Sequence, residues 1–175
     1  MNRIIIISAL LLNYLSYTQV VQNIELVESI PVETTLDNPD IRNTLEVWLE
    51  MINSAETTLD IEQFYISNEK GEPLDIILGA IIAAGKRGVK VRIIIDSKMY
   101  KTYPEDAEWL EKQCENIVKH VIDFEHLAGG IQHSKYFIVD KNDVFLGSQN
   151  FDWRSLKHIH ELGVRFSDHE TARIY

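Results

Sequence analysis

Apolar residues run along this chain in two rhythms. Ile41, Leu45, Trp48, Leu49 and Ile52 recur at helical spacing after the break at Asn38-Pro39-Asp40, which predicts a core-facing helix. Leu59, Ile61, Phe64 and Ile66 predict a strand whose alternation slips at Gln63. Residues 68–73 read as a turn, and 74–84 as an apolar helix ending in Gly85-Lys86-Arg87-Gly88, where glycine and basic residues suit a helix C-terminus. Residues 89–95 form a near-continuous β-branched strand. A helix followed by such a strand predicts a sheet with helices on both faces, the α/β class.

Further on, the pattern predicts a helix over 105–118, a short strand near 120–123 and a glycine loop at Ala128-Gly129-Gly130. Strands are expected over 135–139, 144–146 and 162–166, with a helical turn over 153–157. Ser167-Asp168-His169-Glu170 has the grammar of a helix N-cap, and a helix starting there is cut short at Tyr175. The expectation is a fraying end or a C-terminally truncated domain.

With 175 residues and 45% hydrophobic content, residues 19–175 suit one globular domain. Lys+Arg number 17 against 27 Asp+Glu, a net charge of −10, which excludes a diffuse basic coat for nucleic acid. An anionic substrate must be captured locally. Residues 1–18 carry Arg3, an apolar run over 4–12 and small Ser16 and Thr18, the grammar of a signal peptide or signal anchor. The run falls short of the roughly 20 residues that span a bilayer, which favours cleavage and the secretory pathway. Cys114, the single cysteine, cannot form an intrachain disulfide; it reads as a buried helix thiol or as one side of an interchain bridge.

Chemistry concentrates in Gln132-His133-Ser134-Lys135-Tyr136-Phe137-Ile138-Val139-Asp140, followed by Gly147-Ser148-Gln149-Asn150. Alternate strand residues share a face, so His133 and Lys135 project together. A hairpin turning through Lys141-Asn142-Asp143 returns Ser148 and Asn150 towards them. An imidazole nucleophile with a cation and hydrogen-bond donors suits a phosphodiester, and such a site requires no metal or other cofactor. His158-x-His160 is the one pair that invites a metal reading, with solvated surface histidines as the alternative. Trp153 is expected to be a packing anchor and Arg154 an ion-pair partner.

The spaced set His133, Lys135, Asp140, Gly147, Ser148 and Asn150 resembles the HKD motif of the phospholipase D superfamily. The extension Asn150-Phe151-Asp152-Trp153-Arg154-Ser155-Leu156 is similar to the branch of lysosomal five-prime exonucleases and poxvirus envelope and nicking-joining proteins. The resemblance implies a phospholipase D-like sandwich, a mixed sheet flanked by helices, as one half of a two-motif fold. It implies a catalytic set of His133, Lys135, Asp140 and Glu161, with Asp140 structural within it and Glu161 orienting the histidine. Lys135, Ser148 and Asn150 would bind phosphate. The implied activity is metal-independent phosphodiester hydrolysis through a phosphohistidine, first on single-stranded nucleic acid and otherwise on phospholipid head groups. The implied location is the lysosome, the endoplasmic reticulum lumen or outside the cell. This chain carries one motif where the family uses two, so the second half must come from a homodimer mate or a missing C-terminal domain. An inactive remnant or binding module is the remaining reading.

Overall fold

The structure, a computed structural model, describes residues 24–175; the leader read over 1–18 lies outside them. Ten strands and six helices are described: β1 (Glu25–Ser29), β2 (Arg42–Asn43), α1 (Thr44–Ser54), β3 (Thr58–Gln63), β4 (Ile66–Ser67), α2 (Pro73–Lys86), β5 (Lys90–Asp96), α3 (Ser97–Tyr100), α4 (Glu105–Glu111), β6 (Ile117–Ile122), α5 (Phe124–Ala128), β7 (Lys135–Val139), β8 (Asp143–Gly147), β9 (Phe151–Asp152), β10 (Glu161–Ser167) and α6 (His169–Ala172). Eight strands form one mixed sheet in the order β2-β1-β10-β8-β7-β3-β5-β6, and β4 pairs with β9 beside it. β3, β5 and β6 run parallel, whereas β7 lies antiparallel to both β3 and β8.

One sheet face carries the main core. Alternation sends Leu59, Ile61, Val91, Ile93, Ile95, Phe137 and Val139 to that face, against α1, α2 and α4. Asn43 caps α1 by accepting from Leu45 N at 2.9 Å. Arg87 closes the other end, donating to the carbonyls of Ile52, Asn53 and Ala55 at 3.2–3.3 Å. The basic residue at the end of α2 is thus a clamp between helices. Trp48 on α1 is fully buried, its ring 5.9, 5.3 and 4.8 Å from those of Phe137, Phe145 and Phe151. Truncating such a side chain costs about 3–5 kcal/mol.

The second face is covered unequally, where the sequence predicts helices on both. α6 packs Ala172 against Tyr136, Ile138 and Val144. Under β3 and β5 the face stays open, with a cleft of about 410 Å³ lined by Asp60, Glu62, Arg92, His120, Tyr136 and Tyr175 among others. Among the described residues no helix is long and apolar enough to cross a membrane.

Local departures from the sequence reading have physical causes. Glu25–Ser29 form β1, which pairs antiparallel with β10 across more than 130 residues of chain. The helix predicted over 105–118 stops at Glu111, because Ile117 is taken by β6 opposite Val91. Cys114 is therefore a half-buried turn residue packed on the core rather than a helix thiol. The single strand expected over 59–66 is two strands interrupted at Phe64 and Tyr65, where the alternation slips. The hairpin turn is centred on Asp140 and Lys141, at φ 51° and 57°, with Asn142 N donating to Val139 O at 3.0 Å. Two positive φ values make it a primed turn, whose twist matches the flanking strands.

Candidate active site

β7 enters the sheet at Lys135, whose register partner is Gln63 at the end of β3. His133 lies just before the strand rather than within it, yet the alternation carries through. The His133 ring packs edge-on against Phe64, 4.4 Å between centroids, and Lys135 Nζ sits 5.4 Å from the centre of the same ring. Lys135 Nζ also donates to the His133 carbonyl at 3.0 Å. The imidazole and the ammonium therefore share one surface, with His133 exposed and Lys135 buried.

Electrostatics follow from that placement. Burial, and then the Lys135 charge, hold the His133 pKa below its ordinary 6.5. Burial also lowers the Lys135 pKa, with the Glu161 charge opposing it. Burial raises the pKa of Glu161, against the pull of the Ser148 and Ser155 hydroxyls and of Lys135. Each of the three groups is thus pushed towards its neutral form.

Glu161, at the start of β10, accepts from Ser155 Oγ at 3.3 Å, and its Oε2 is buried without a hydrogen-bond partner. The resemblance implies that it orients the histidine ring. In this structure Glu161 interacts with Lys135 and the Ser148 and Ser155 hydroxyls, and the His133 ring packs against Phe64. Ser148 is exposed and bound to β10 next to Glu161: its Oγ accepts from Leu162 N at 3.2 Å and donates to Leu162 O at 3.4 Å. Asn150 follows β8 at the same sheet end. Its neighbour Phe151 donates N–H to Gln63 Oε1 at 3.2 Å, and Asn150 Oδ1 is buried and unpartnered. His133, Lys135, Ser148, Asn150 and Glu161 thus meet at one end of the sheet.

Asp140 does not join them. It lies five residues beyond Lys135, about 16 Å along the strand at ordinary strand rise. Its carboxylate accepts from Glu56 N at 3.0 Å, Thr57 N at 2.7 Å, Thr57 Oγ1 at 2.8 Å and Thr58 N at 2.9 Å. It fastens the hairpin to the segment between α1 and β3 and to Thr58, the first residue of β3.

His158 and His160 separate towards different carboxylates, Glu33 at 2.5 Å and Glu28 at 3.0 Å. Among the described residues no three His, Cys, Asp or Glu side chains converge as metal ligands. Arg154 pairs with buried Asp152 at 2.6 Å and Trp153 packs on the core. Phe64 and Ser155 escape the sequence reading of the site. The slip at Gln63 was the one local signal for Phe64, and Ser155 had none beyond its place in the Asn150–Leu156 extension.

Residues 48–175 match the family described as "Cardiolipin synthase, PLD-like domain". The chain is 37% identical over 142 residues to the virion nicking-joining enzyme of vaccinia virus (strain Western Reserve), covering 79% of this chain and 32% of that one. It is 33% identical over 156 residues to phospholipase D Z of Dictyostelium discoideum (83% and 36%), and 33% identical over 153 residues to a 5'-3' exonuclease of Bos taurus (79% and 30%). It spans about a third of the length of these relatives. Among solved structures, the fold matches Nuc from Salmonella typhimurium with a TM-score of 0.67 at 23% identity, covering 87% of this chain and 88% of that one. With His133, Lys135, Ser148 and Asn150 gathered at one sheet end and most of the chain matched, the protein belongs to the phospholipase D superfamily.

Proposed function

We propose that this chain is one catalytic half of a metal-independent phosphodiesterase acting on single-stranded nucleic acid. The observation that carries the reading is the meeting of His133 and Lys135 on Phe64: an exposed imidazole biased towards its neutral form beside a buried cation. A ring nitrogen of His133 attacks phosphorus and forms a phosphohistidine. The P–O bond to the leaving group breaks, and the second half supplies the proton that the departing oxygen takes. Water then hydrolyses the phosphohistidine. Lys135, Ser148 and Asn150 hold the non-bridging oxygens as their charge grows.

The second half comes from a mate copy or from a further HKD domain, which agrees with the exposure of His133. Nucleic acid is favoured over phospholipid by the Asn150–Leu156 extension and by the nicking-joining and exonuclease names of two relatives. The phospholipase D name of the third keeps head-group hydrolysis as the second reading. The leader-like opening supports a luminal or secreted setting.

The test incubates the chain with a labelled single-stranded oligonucleotide or with phosphatidylcholine vesicles, in the presence of EDTA. Cleavage of the oligonucleotide that vanishes in His133→Ala supports the proposal. Turnover of vesicles alone selects the lipid reading, and equal turnover by the variant overturns the mechanism.

A further inference from the structure

Residues 131–134, which carry His133, make no sheet pairing; the β7 ladder begins at Lys135. A nucleophile on an unpaired segment needs another anchor. One carboxylate on the neighbouring strand provides it. Glu62 Oε1 accepts from Gln132 Nε2 at 2.6 Å and from Ser134 Oγ at 2.9 Å, and Glu62 Oε2 accepts from the Tyr136 hydroxyl. Gln132, Ser134 and Tyr136 are the alternate residues, so they turn to the second face while His133 and Lys135 turn to the site. Behind them, buried Asp96 accepts from Gln132 N at 2.8 Å.

We propose that Glu62 is a positioning residue for His133: by gripping both neighbours of the histidine from the reverse face, it replaces the missing ladder bonds and fixes the ring against Phe64. Glu62 touches neither substrate nor the reacting atoms. Displacing a reacting group by about 1 Å can cost 10²-fold in rate, so the loss belongs in kcat. The role rests on the phosphodiesterase reading above for its kinetic consequence, but not for its structural one.

The experiment compares the whole chain with Glu62→Ala, Glu62→Gln and Ser134→Ala, below the melting temperature of each. Glutamine still accepts through Oε1 from Gln132 and Ser134, and its amide can donate to the Tyr136 oxygen. The expected result is a kcat lowered about 10-fold to 100-fold in Glu62→Ala with KM within about twofold, a smaller loss in Ser134→Ala, and near-complete rescue in Glu62→Gln. The NMR signals of the His133 ring are read in parallel: one sharp set in the unaltered chain and in Glu62→Gln, broadened or doubled in Glu62→Ala. Unchanged ring signals in Glu62→Ala overturn the proposal, as does a Glu62→Gln variant as impaired as alanine. If the unaltered chain cleaves neither substrate, the phosphodiesterase reading fails while the ring signals still decide the role of Glu62.

Discussion

Lys135 Nζ donates to the carbonyl of His133 at 3.0 Å, which ties the cation to the residue whose ring its charge acts on. The imidazole must be neutral to attack, and burial together with Lys135 keeps its pKa below 6.5. Activity is therefore expected to persist below pH 6.5 and to fall as pH drops through the lowered value. In Lys135→Met the burial stays and the neighbouring charge goes, so the His133 pKa rises, which an NMR titration of the ring reads directly. A fall or no change would place the ammonium away from the ring. The same variant is expected to lose about 10²-fold to 10³-fold in kcat, the usual cost of removing a group that stabilises transition-state charge.

Glu161 acts on the same cation from the other side. Burial lowers the Lys135 pKa, and the Glu161 charge holds it up. Glu161→Gln removes that support, so Lys135 is expected to lose its proton at lower pH. The alkaline limb of the rate profile then moves down, while the glutamine oxygen still accepts from Ser155. A limb left in place would show that Glu161 serves another partner.

What the sequence made legible was local. The HKD spacing, the alternation through β7 and the hairpin all lie within 18 residues, and strand periodicity alone brings His133, Lys135, Ser148 and Asn150 to one end. Long-range decisions were not legible. Nothing in Glu25–Ser29 announces β10 as its partner, and Ile117 fits a helical period until its pairing with Val91 outweighs it. Glu62 lies in β3 and Phe64 just after it, some seventy residues before the motif, so their service to His133 exists only after β3 and β7 pair.

Asp140 makes a prediction about stability rather than catalysis. Burial would raise its pKa, but the N–H groups of Thr58, Glu56 and Thr57 outweigh that and lower it from 3.8. A lowered carboxylate pKa contributes stability above the unfolded value, lost as pH falls through the folded one. Asp140→Ala removes four acceptor contacts and is expected to cost about 2 kcal/mol. For a domain of this size that lowers Tm by roughly 4–8 °C. Asp140→Asn tolerates the left-handed backbone at φ 51° and keeps Oδ1, so it should lose less and flatten the acid dependence. Thermal denaturation at neutral pH and near pH 3.5 checks both variants; an alanine variant as stable as the parent contradicts the clamp.

Two glycines separate close packing from backbone freedom. A Cβ on Gly163, in β10, would lie 2.5 Å from Phe145 Cζ and 2.9 Å from Cε2. The Phe145 ring cannot retreat, because it is fully buried against Trp48 and stacked 5.5 Å from Phe137. Gly163→Ala is therefore expected to destabilise by about 1–3 kcal/mol through overpacking, even though alanine favours regular structure elsewhere. Gly79 gives the opposite sign. It is exposed within α2, and a Cβ there meets nothing within 4 Å. Gly79→Ala should stabilise by about 0.5–1 kcal/mol by restricting the unfolded chain. Urea denaturation of the two variants at equal m-value measures the contrast, and a neutral Gly163→Ala would mean that β10 can shift away from the ring, loosening the strand that holds Glu161 beside Lys135.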